Sequence, residues 1–159
     1  MITIREMTKQ DISQVSEMMC SCYRWLGKGN DFTEQQVDYL VSERGLIEMI
    51  RNESQSQIYL VACMNNTVVG VAAVKVNELA KLFVDPNCHS QDIGTMLFDS
   101  AEQIISKAGY KEMIVGVMAR SAIGFYKKMG MSIFEEKTPE AGAFAGCKIP
   151  LMRKVLRHA

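Results

Sequence analysis

The chain combines two hydrophobic periods, one of about 2 residues and one of about 3.6 residues, and their succession predicts an α/β fold. Short apolar or alternating runs predict strands at residues 2–7, 58–64, 68–76, 78–84, 113–118, 132–136 and 149–156. Apolar residues spaced three or four apart predict helical regions at residues 8–25, 33–50, 94–108 and 120–129, with an interruption at Gly45. No repeat or low-complexity linker separates these elements, so we expect one domain over residues 1–159.

Local sequence signals mark several element ends. Thr33 and Gln36 have the spacing of a capping box, which predicts a helix start at this point. Asn65 and Asn66 predict a tight turn between two strands, because Asn tolerates the positive φ that hairpin turns require. Gly109 is expected to end a helix.

Residues 78–97 join a strand, a Pro-containing turn and a polar loop to a helix that opens near Gly94 and Thr95. The first N–H groups of a helix lack partners within the helix, and its dipole is positive at that end. A loop that leads into such a helix end is therefore predicted to bind an anion such as a phosphate. The next strand, at residues 113–118, is expected to run parallel to the strand before the helix, which places the site at the strand carboxyl ends.

The polar loop resembles the pyrophosphate-binding motif Gln/Arg-x-x-Gly-x-Gly/Ala of the GNAT (GCN5-related N-acetyltransferase) family. The matching positions run from His89 to Gly94 and follow a Val-Asp-Pro sequence, as in the family. Gly94 fits the motif, whereas His89 replaces Gln/Arg and Asp92 replaces the first Gly. We expect Asp92 to tolerate a left-handed backbone, and either to point its carboxylate outward or to cap the following helix.

A second segment, AIGFYKKMGM at residues 122–131, resembles the family pattern Ala-Ile-x-Phe-Tyr-Glu-Lys-x-Gly-Phe. Ala119 lies where the family usually has an Asn that contacts the coenzyme. The resemblance extends over nearly the whole chain. It implies a central mixed, mostly antiparallel sheet of about seven strands, flanked by about four helices, with a parallel pair around the cofactor-binding helix.

The resemblance implies acetyl-coenzyme A as co-substrate, together with a set of residues that contact it. These residues are Leu82, Phe83, Val84, His89, Ser90, Gln91, Asp92, Ile93, Gly94, Thr95, Ala119, Ala122, Phe125 and Tyr126. A backbone N–H in the strand at residues 82–84 is expected to meet the acetyl carbonyl, as in an oxyanion hole.

The same resemblance implies two candidates for acid–base catalysis. Tyr126 matches the tyrosine proposed to protonate the departing thiolate, and a buried aromatic ring with a purely structural role is the alternative. Glu78 lies six residues before Val84, the offset of the general-base glutamate in the histone-acetylating branch of the family. A solvated glutamate at a strand start is the alternative for Glu78.

Composition narrows the range of partners and compartments. Lys plus Arg and Asp plus Glu both number 18, so no net charge favours a nucleic acid or an anionic membrane. No apolar run approaches the ~20 residues of a membrane span. The five scattered cysteines fit reduced thiols in a cytoplasmic protein. Cys20 and Cys22 do not face each other on a helix, so no metal site is expected.

Two functional hypotheses remain open at the level of sequence. The first is an N-acetyltransferase in which a primary amine of a small molecule or peptide attacks acetyl-coenzyme A directly in a ternary complex. Residues 25–32 and 139–145 are expected to shape its acceptor pocket. An acyl-enzyme route through Cys88 has no supporting His–Asp pair beyond the neighbouring His89. The second hypothesis is a catalytically weak or inactive acyl-coenzyme A-binding or sensory module on the same fold.

A homodimer is also compatible with the sequence. The apolar C-terminal strand is expected to pair across its interface.

Overall fold

The computed structural model describes residues 1–43 and 47–157, and within these ranges one seven-stranded sheet is flanked by five α-helices. The strands are β1 (Ile2–Glu6), β2 (Ile58–Met64), β3 (Thr67–Lys75), β4 (Glu78–Val84), β5 (Glu112–Gly116), β6 (Ser132–Lys137) and β7 (Ile149–Val155). The helices are α1 (Ile12–Lys28), α2 (Glu34–Glu43), α3 (Ile47–Glu53), α4 (Ile93–Lys107) and α5 (Ile123–Lys128). The predicted single-domain α/β architecture is confirmed, except that the second helical region contains two helices. The interruption predicted at Gly45 lies outside the described residues.

The strand order is β1-β2-β3-β4-β5-β7-β6, and β4–β5 is the parallel pair. The other neighbouring strands run antiparallel. Strand β7 lies between β5 and β6 and pairs with both. Since both of its edges are occupied, the expectation that the C-terminal strand pairs across a dimer interface is wrong. Oligomeric state itself stays a prediction.

The β2–β3 hairpin and helix α4 set the position of the loop after β4. Asn65 and Asn66 have φ values of 52° and 67°, as the predicted tight turn requires. Gly70 in β3 lies against α4, where an added Cβ would come within 2.8 Å of a Leu97 methyl carbon and 3.1 Å of one from Ile93. The missing side chain therefore lets α4 pack close to the sheet, with its first turn beside the end of β4.

Each face of the sheet carries its own core. Helices α4 and α5 cover one face, where Phe98, Leu97 and Met113 are fully buried. Helices α1 to α3 cover the other, where Met19, Leu40 and Ile50 are fully buried. Burial of this apolar surface is the main stabilising contribution. The two helical layers also approach the β4–β5 pair from opposite sides.

The start of α1 is held by a charged cluster. Both terminal nitrogens of the Arg5 guanidinium donate to the Asp11 carboxylate, at 2.7 and 2.9 Å, and the Thr8 backbone N–H donates to Asp11 Oδ2 at 2.7 Å. The Arg5 bond contributes most to lowering the pKa of Asp11 to about 2, with help from Thr8. Ionised Asp11 thus ties β1 to the first turn before α1.

No helix within the described ranges combines the length and hydrophobicity needed to cross a membrane. The five cysteines are free thiols.

Candidate active site

The parallel strands β4 and β5 diverge and create a cavity at their carboxyl ends. The two strands pair at one position, where Glu78 lies opposite Ile114. Beside it, the Ile114 N–H donates to the Asn77 carbonyl at 3.0 Å. Beyond this point a cavity of about 610 Å³ opens between the strands. Its volume falls within the ordinary range for a small-molecule site. The location agrees with the site predicted at the strand carboxyl ends.

Strand β4 contains a bulge beside this cavity. Ala73 of β3 pairs with Lys81 and Val74 pairs with Leu79, so Ala80 has no partner in the register. Ala80 packs against the core under α1 to α3, and Lys81 reaches Glu53 of α3 on the same side. Two consecutive side chains therefore point to one face, a local change of direction that bulges provide near functional sites.

The edge of β4 that faces the gap offers backbone donors. The Asp85 N–H donates to the Val69 carbonyl of β3 at 2.8 Å. Successive N–H groups of a strand point in opposite directions, so the N–H groups of Leu82 and Val84 point away from β3 and into the gap. This geometry is what the expected contact with an acetyl carbonyl requires.

His89 folds back onto the end of β4. Its Nε2 donates to the Val84 carbonyl at 3.1 Å, and the Cys22 thiol donates to the same oxygen at 3.2 Å. The imidazole also meets the Trp25 ring edge-to-face at a centroid distance of 4.7 Å. His89 and Trp25 both line the cavity. The imidazole at the position of the family's Gln/Arg thus joins α1 to the loop between β4 and α4.

Asp92 adopts the left-handed conformation immediately before α4, with φ 59° and ψ 20°. This backbone explains why the family places glycine here, and Asp tolerates it better than most residues. The carboxylate makes no capping hydrogen bond, so of the two alternatives expected for this side chain the cap on α4 is wrong. Asp92 is instead exposed at the cavity rim.

The first turn of α4 supplies an anion-binding end. The Met96 N–H makes a helical bond to the Asp92 carbonyl at 3.1 Å, so the N–H groups of residues 93–95 precede the helical hydrogen-bond ladder. Gly94 and Thr95 line the cavity. An added Cβ at Gly94 would meet Phe125 at 3.5 Å, an ordinary contact distance. The site therefore tolerates a methyl group at this position.

Tyr126 lies on α5, where its side chain is buried in the core and also lines the cavity. It packs edge-to-face on Phe125 at 5.3 Å and is tilted against Phe98 at 6.3 Å. Burial raises the pKa of Tyr126 above its ordinary value of 10.0. Its hydroxyl is therefore protonated at neutral pH and available as a hydrogen-bond donor.

Most of the predicted cofactor residues come together at this cavity. Those that line it are Leu82, Phe83, Val84, His89, Asp92, Gly94, Thr95, Ala119, Ala122, Phe125 and Tyr126. Ser90 and Gln91 are exposed outside the lining, and the Ile93 side chain is buried under Gly70. A cofactor contact by Ile93 would therefore use its backbone.

The other proposed chemical groups lie elsewhere or are inert. Glu78 is exposed at the closed end of the β4–β5 pair and does not line the cavity, so its role as a base stays a prediction. Cys88 is buried away from the cavity, and burial followed by the nearby Asp85 charge raises the pKa of its thiol. Burial also raises the pKa of Cys22 to about 12. Neither thiol is a ready nucleophile.

The sequence reasoning missed the wall contributed by α1 and α2. Cys22, Tyr23 and Leu40 line the cavity, although nothing in the sequence marked them as site residues. Spacing cannot separate a core side chain from one that faces a cavity beneath the same helix.

Of the two segments expected to shape the acceptor pocket, one lines the cavity directly. From residues 25–32, the side chains of Trp25, Leu26 and Phe32 do so. The 139–145 segment acts from behind, through an edge-to-face contact between Phe144 and Phe32 at 5.8 Å.

Hydrogen bonds join the loop after α1 to the turn that precedes α5. The Ser121 N–H and hydroxyl donate to the two Asp31 carboxylate oxygens at 3.1 and 2.5 Å. Asp31 follows α1, and Ser121 lines the cavity just before α5. These hydrogen bonds couple the position of the loop after α1 to the opposite wall.

Among residues 1–43 and 47–157, no group of three or more potential metal ligands is arranged around a common point.

Comparison with known proteins gives consistent matches. The family model described as an acetyltransferase (GNAT) domain matches residues 28–156. An uncharacterized N-acetyltransferase of Methanocaldococcus jannaschii is 30% identical over 141 residues, which cover 85% of this chain but only 61% of that relative. A spermidine N(1)-acetyltransferase of Thermoplasma acidophilum is 27% identical over 144 residues, covering 83% of this chain and 89% of the relative.

Solved structures share the fold. A GCN5-related N-acetyltransferase from Rhodopseudomonas palustris superposes with a TM-score of 0.88 at 21% identity, over 97% of this chain and 95% of that one. The PaiA N-acetyltransferase of Thermoplasma acidophilum, solved in complex with coenzyme A, gives a TM-score of 0.79 at 23% identity, over 98% and 99% of the two chains.

Proposed function

The chain belongs to the GNAT acetyltransferase family, and from this membership we propose that it transfers the acetyl group of acetyl-coenzyme A to a primary amine. The observation that carries the proposal is the cavity between β4 and β5. It unites unpaired strand N–H groups, the open first turn of α4 and the protonated Tyr126 hydroxyl. These are the donors that acyl transfer from a phosphorylated thioester needs.

The cavity has a suitable group for each part of the co-substrate. The first turn of α4, at residues 93–95, would hold the pyrophosphate through backbone N–H groups. The gap edge of β4 at Leu82 and Val84 would orient the thioester by hydrogen bonds. These contacts depend on the backbone, so they survive the His89 and Asp92 replacements.

Transfer forms a bond from the amine nitrogen to the acetyl carbon and breaks the bond from that carbon to sulfur. An N–H of Leu82 or Val84 would stabilise the oxyanion formed on attack. Tyr126 would donate a hydrogen bond to the departing thiolate. A buried phenol with a raised pKa is a weaker acid than a thiol of pKa about 8.5, so Tyr126 stabilises the thiolate without surrendering its proton.

The attacking amine must be neutral. An apolar wall disfavours the ammonium form by desolvation and so lowers the amine pKa. We propose that the proton lost by the amine nitrogen passes through water to Glu78, whose side chain lies outside the cavity lining. The thiols of Cys22, at the cavity, and Cys88, in the loop after β4, both have raised pKa values. Neither is therefore suited to accept the acetyl group, which favours direct attack in a ternary complex.

The alternative is an acyl-coenzyme A-binding module with little or no turnover. The observation that favours it is the Asp92 carboxylate at the rim where the pyrophosphate would lie. Binding without transfer would support this alternative.

Calorimetric titration tests the proposal. Acetyl-coenzyme A, coenzyme A and ATP are compared on the wild type, on Gly94→Glu and on the matched control Gly94→Ala. We expect micromolar binding of the acyl form, little effect of alanine because its Cβ finds ordinary contact distances, and loss of binding with glutamate. Equal binding by all three proteins would place the coenzyme elsewhere. No binding at millimolar acetyl-coenzyme A would overturn the proposal.

We also propose a cytoplasmic protein, supported by its free cysteines. Any homodimer would form by contacts other than edge pairing of β7, because both edges of that strand are occupied.

A further inference from the structure

The half of the cavity that faces α1 to α3 is apolar and aromatic. We call this surface the acceptor wall, because it lies across the gap from the first turn of α4. It consists of Cys22, Tyr23, Trp25, Leu26, Phe32, Leu40, Lys81, Phe83 and Met118. Eight of these nine side chains carry no charge at neutral pH, including the Cys22 thiol with its pKa of about 12.

Lys81 is the exception, and its charge is already matched. Its side chain is 5% exposed, and its Nζ lies 2.5 Å from Glu53 Oε1. The same Glu53 oxygen accepts a hydrogen bond of 2.7 Å from the Tyr59 hydroxyl. The Glu53 carboxylate is therefore committed behind the wall and does not line the cavity.

Carboxylates are scarce among the described residues that line this cavity. Among the described residues that line it, Asp92 is the one acidic side chain, and it lies at the cavity rim immediately before α4. The nearby Asp31 carboxylate bonds to Ser121 with both oxygens. A second ammonium on an acceptor would thus lose hydration against apolar side chains, and no carboxylate of the acceptor wall would pair with it.

We propose that the acceptor is a primary amine on an uncharged apolar or aromatic body, and not a polyamine. This inference rests on the proposed function and specifies the substrate class of the same site. It separates this chain from the relative whose name gives spermidine as its substrate. Aromatic side chains such as Trp25 and Phe32 would pack against the amine's apolar body.

Three amines of matched length test the proposal: hexylamine, 1,6-diaminohexane and 6-aminohexanoate, which end in a methyl, an ammonium and a carboxylate group. We expect kcat/KM to be at least tenfold higher for hexylamine than for the diamine, after correction for the diamine's two amino groups, and higher than for the acid. A diamine or acid that is equal to or better than hexylamine would overturn the inference.

Trp25 gives a readout that does not need turnover. It is the one tryptophan of the chain, it lines the cavity, and it is 47% exposed. Titrating its fluorescence with the three amines, with and without coenzyme A, reports their relative affinities even if no acetyl transfer occurs. Tighter binding of hexylamine supports the inference, whereas equal or tighter binding of the diamine refutes it. Failure of acetyl transfer alone would count against the proposed function and leave this preference measurable.

A variant pair tests the acceptor wall itself. Leu26 lines the cavity and is only partly buried, so a polar residue there should be accommodated. We expect Leu26→Glu to raise the ratio of diamine to hexylamine affinity at least tenfold, and the matched control Leu26→Gln to leave it within about threefold. An unchanged ratio in the glutamate variant, with folding confirmed by circular dichroism, would show that this wall does not contact the acceptor body.

Discussion

Asp92 offers a perturbation whose sign follows from two separate physical effects. Its carboxylate is exposed at the cavity rim, and its backbone has φ 59°. Removing the charge should tighten coenzyme binding, and replacing the residue with glycine should also relieve its backbone conformation. Asp92→Asn removes the charge but keeps a side chain that tolerates positive φ. Asp92→Ala removes the charge and raises the conformational cost, because alanine adopts positive φ less readily than Asp or Asn.

The size of the charge effect can be estimated from Coulomb's law. Two unit charges about 7 Å apart in an effective dielectric constant of about 40 repel by about 1.2 kcal/mol. That free energy corresponds to about a sevenfold change in affinity. We therefore expect Asp92→Asn to bind acetyl-coenzyme A about sevenfold more tightly than the wild type at low salt. The gain should shrink at high salt because the rim is open to solvent.

Calorimetry at about 20 mM and 500 mM salt separates charge from conformation. Asp92→Asn and Asp92→Gly should both show the salt-dependent gain, and Asp92→Ala should show it with a lower free energy of unfolding. Affinity unchanged in all three variants at low salt would refute the placement of the pyrophosphate at the first turn of α4. Weaker binding by Asp92→Asn would indicate that the carboxylate makes a favourable contact with the ligand.

Three further perturbations follow from the structure. Tyr126→Phe should lower kcat about 10- to 100-fold with little change in acetyl-coenzyme A affinity, because a hydrogen bond to a charged group is worth about 1.5–3 kcal/mol; an unchanged kcat in stopped-time assays would rule out contact with the thiolate. Asp11→Asn should destabilise the fold by about 1 kcal/mol at pH 7. Since the folded pKa of about 2 lies below the ordinary 3.8, this difference should persist above about pH 4 and vanish as the pH falls toward 2 in urea titrations; a pH-independent difference would contradict it. Gly70→Val should cost about 1–3 kcal/mol by overpacking against Leu97, and an unchanged urea midpoint would show that α4 can move away.

The sequence predicted the fold well where local and long-range signals agree. The turn at Asn65 and Asn66 requires positive φ, which Asn tolerates. The hairpin that this turn predicts also places two buried strands side by side. Thr33 and Gln36 form the predicted capping box, with reciprocal bonds of 3.0 and 3.1 Å. The error about β7 has a different origin. An apolar strand looks the same in sequence whether its neighbours are strands of the same chain or of another.

The sequence predicted the part of the cavity that lies on the two motifs and part of the wall opposite them. Gly94 and Tyr126 were found because the motif spacing places them beside the diverging strands. Of the acceptor wall, Trp25, Leu26 and Phe32 belong to the predicted segment 25–32, whereas Cys22, Tyr23 and Leu40 were missed because their position depends on how α1 and α2 pack across the sheet. The Ala80 bulge that turns Lys81 toward Glu53 was also missed, because a bulge depends on pairing with β3 and leaves no local signal here.

The most direct test of the account is a mass balance of the acetyl group. Purified protein is incubated with acetyl-coenzyme A carrying a ¹³C-labelled acetyl group and a pool of apolar, cationic and anionic primary amines and peptides. Mass spectrometry then follows free coenzyme A, acetylated amines and the protein. We expect one acetylated amine for each coenzyme A released, with no label on the protein. Label on a protein thiol, or coenzyme A release without an acetylated amine, would contradict direct transfer in the cavity between β4 and β5.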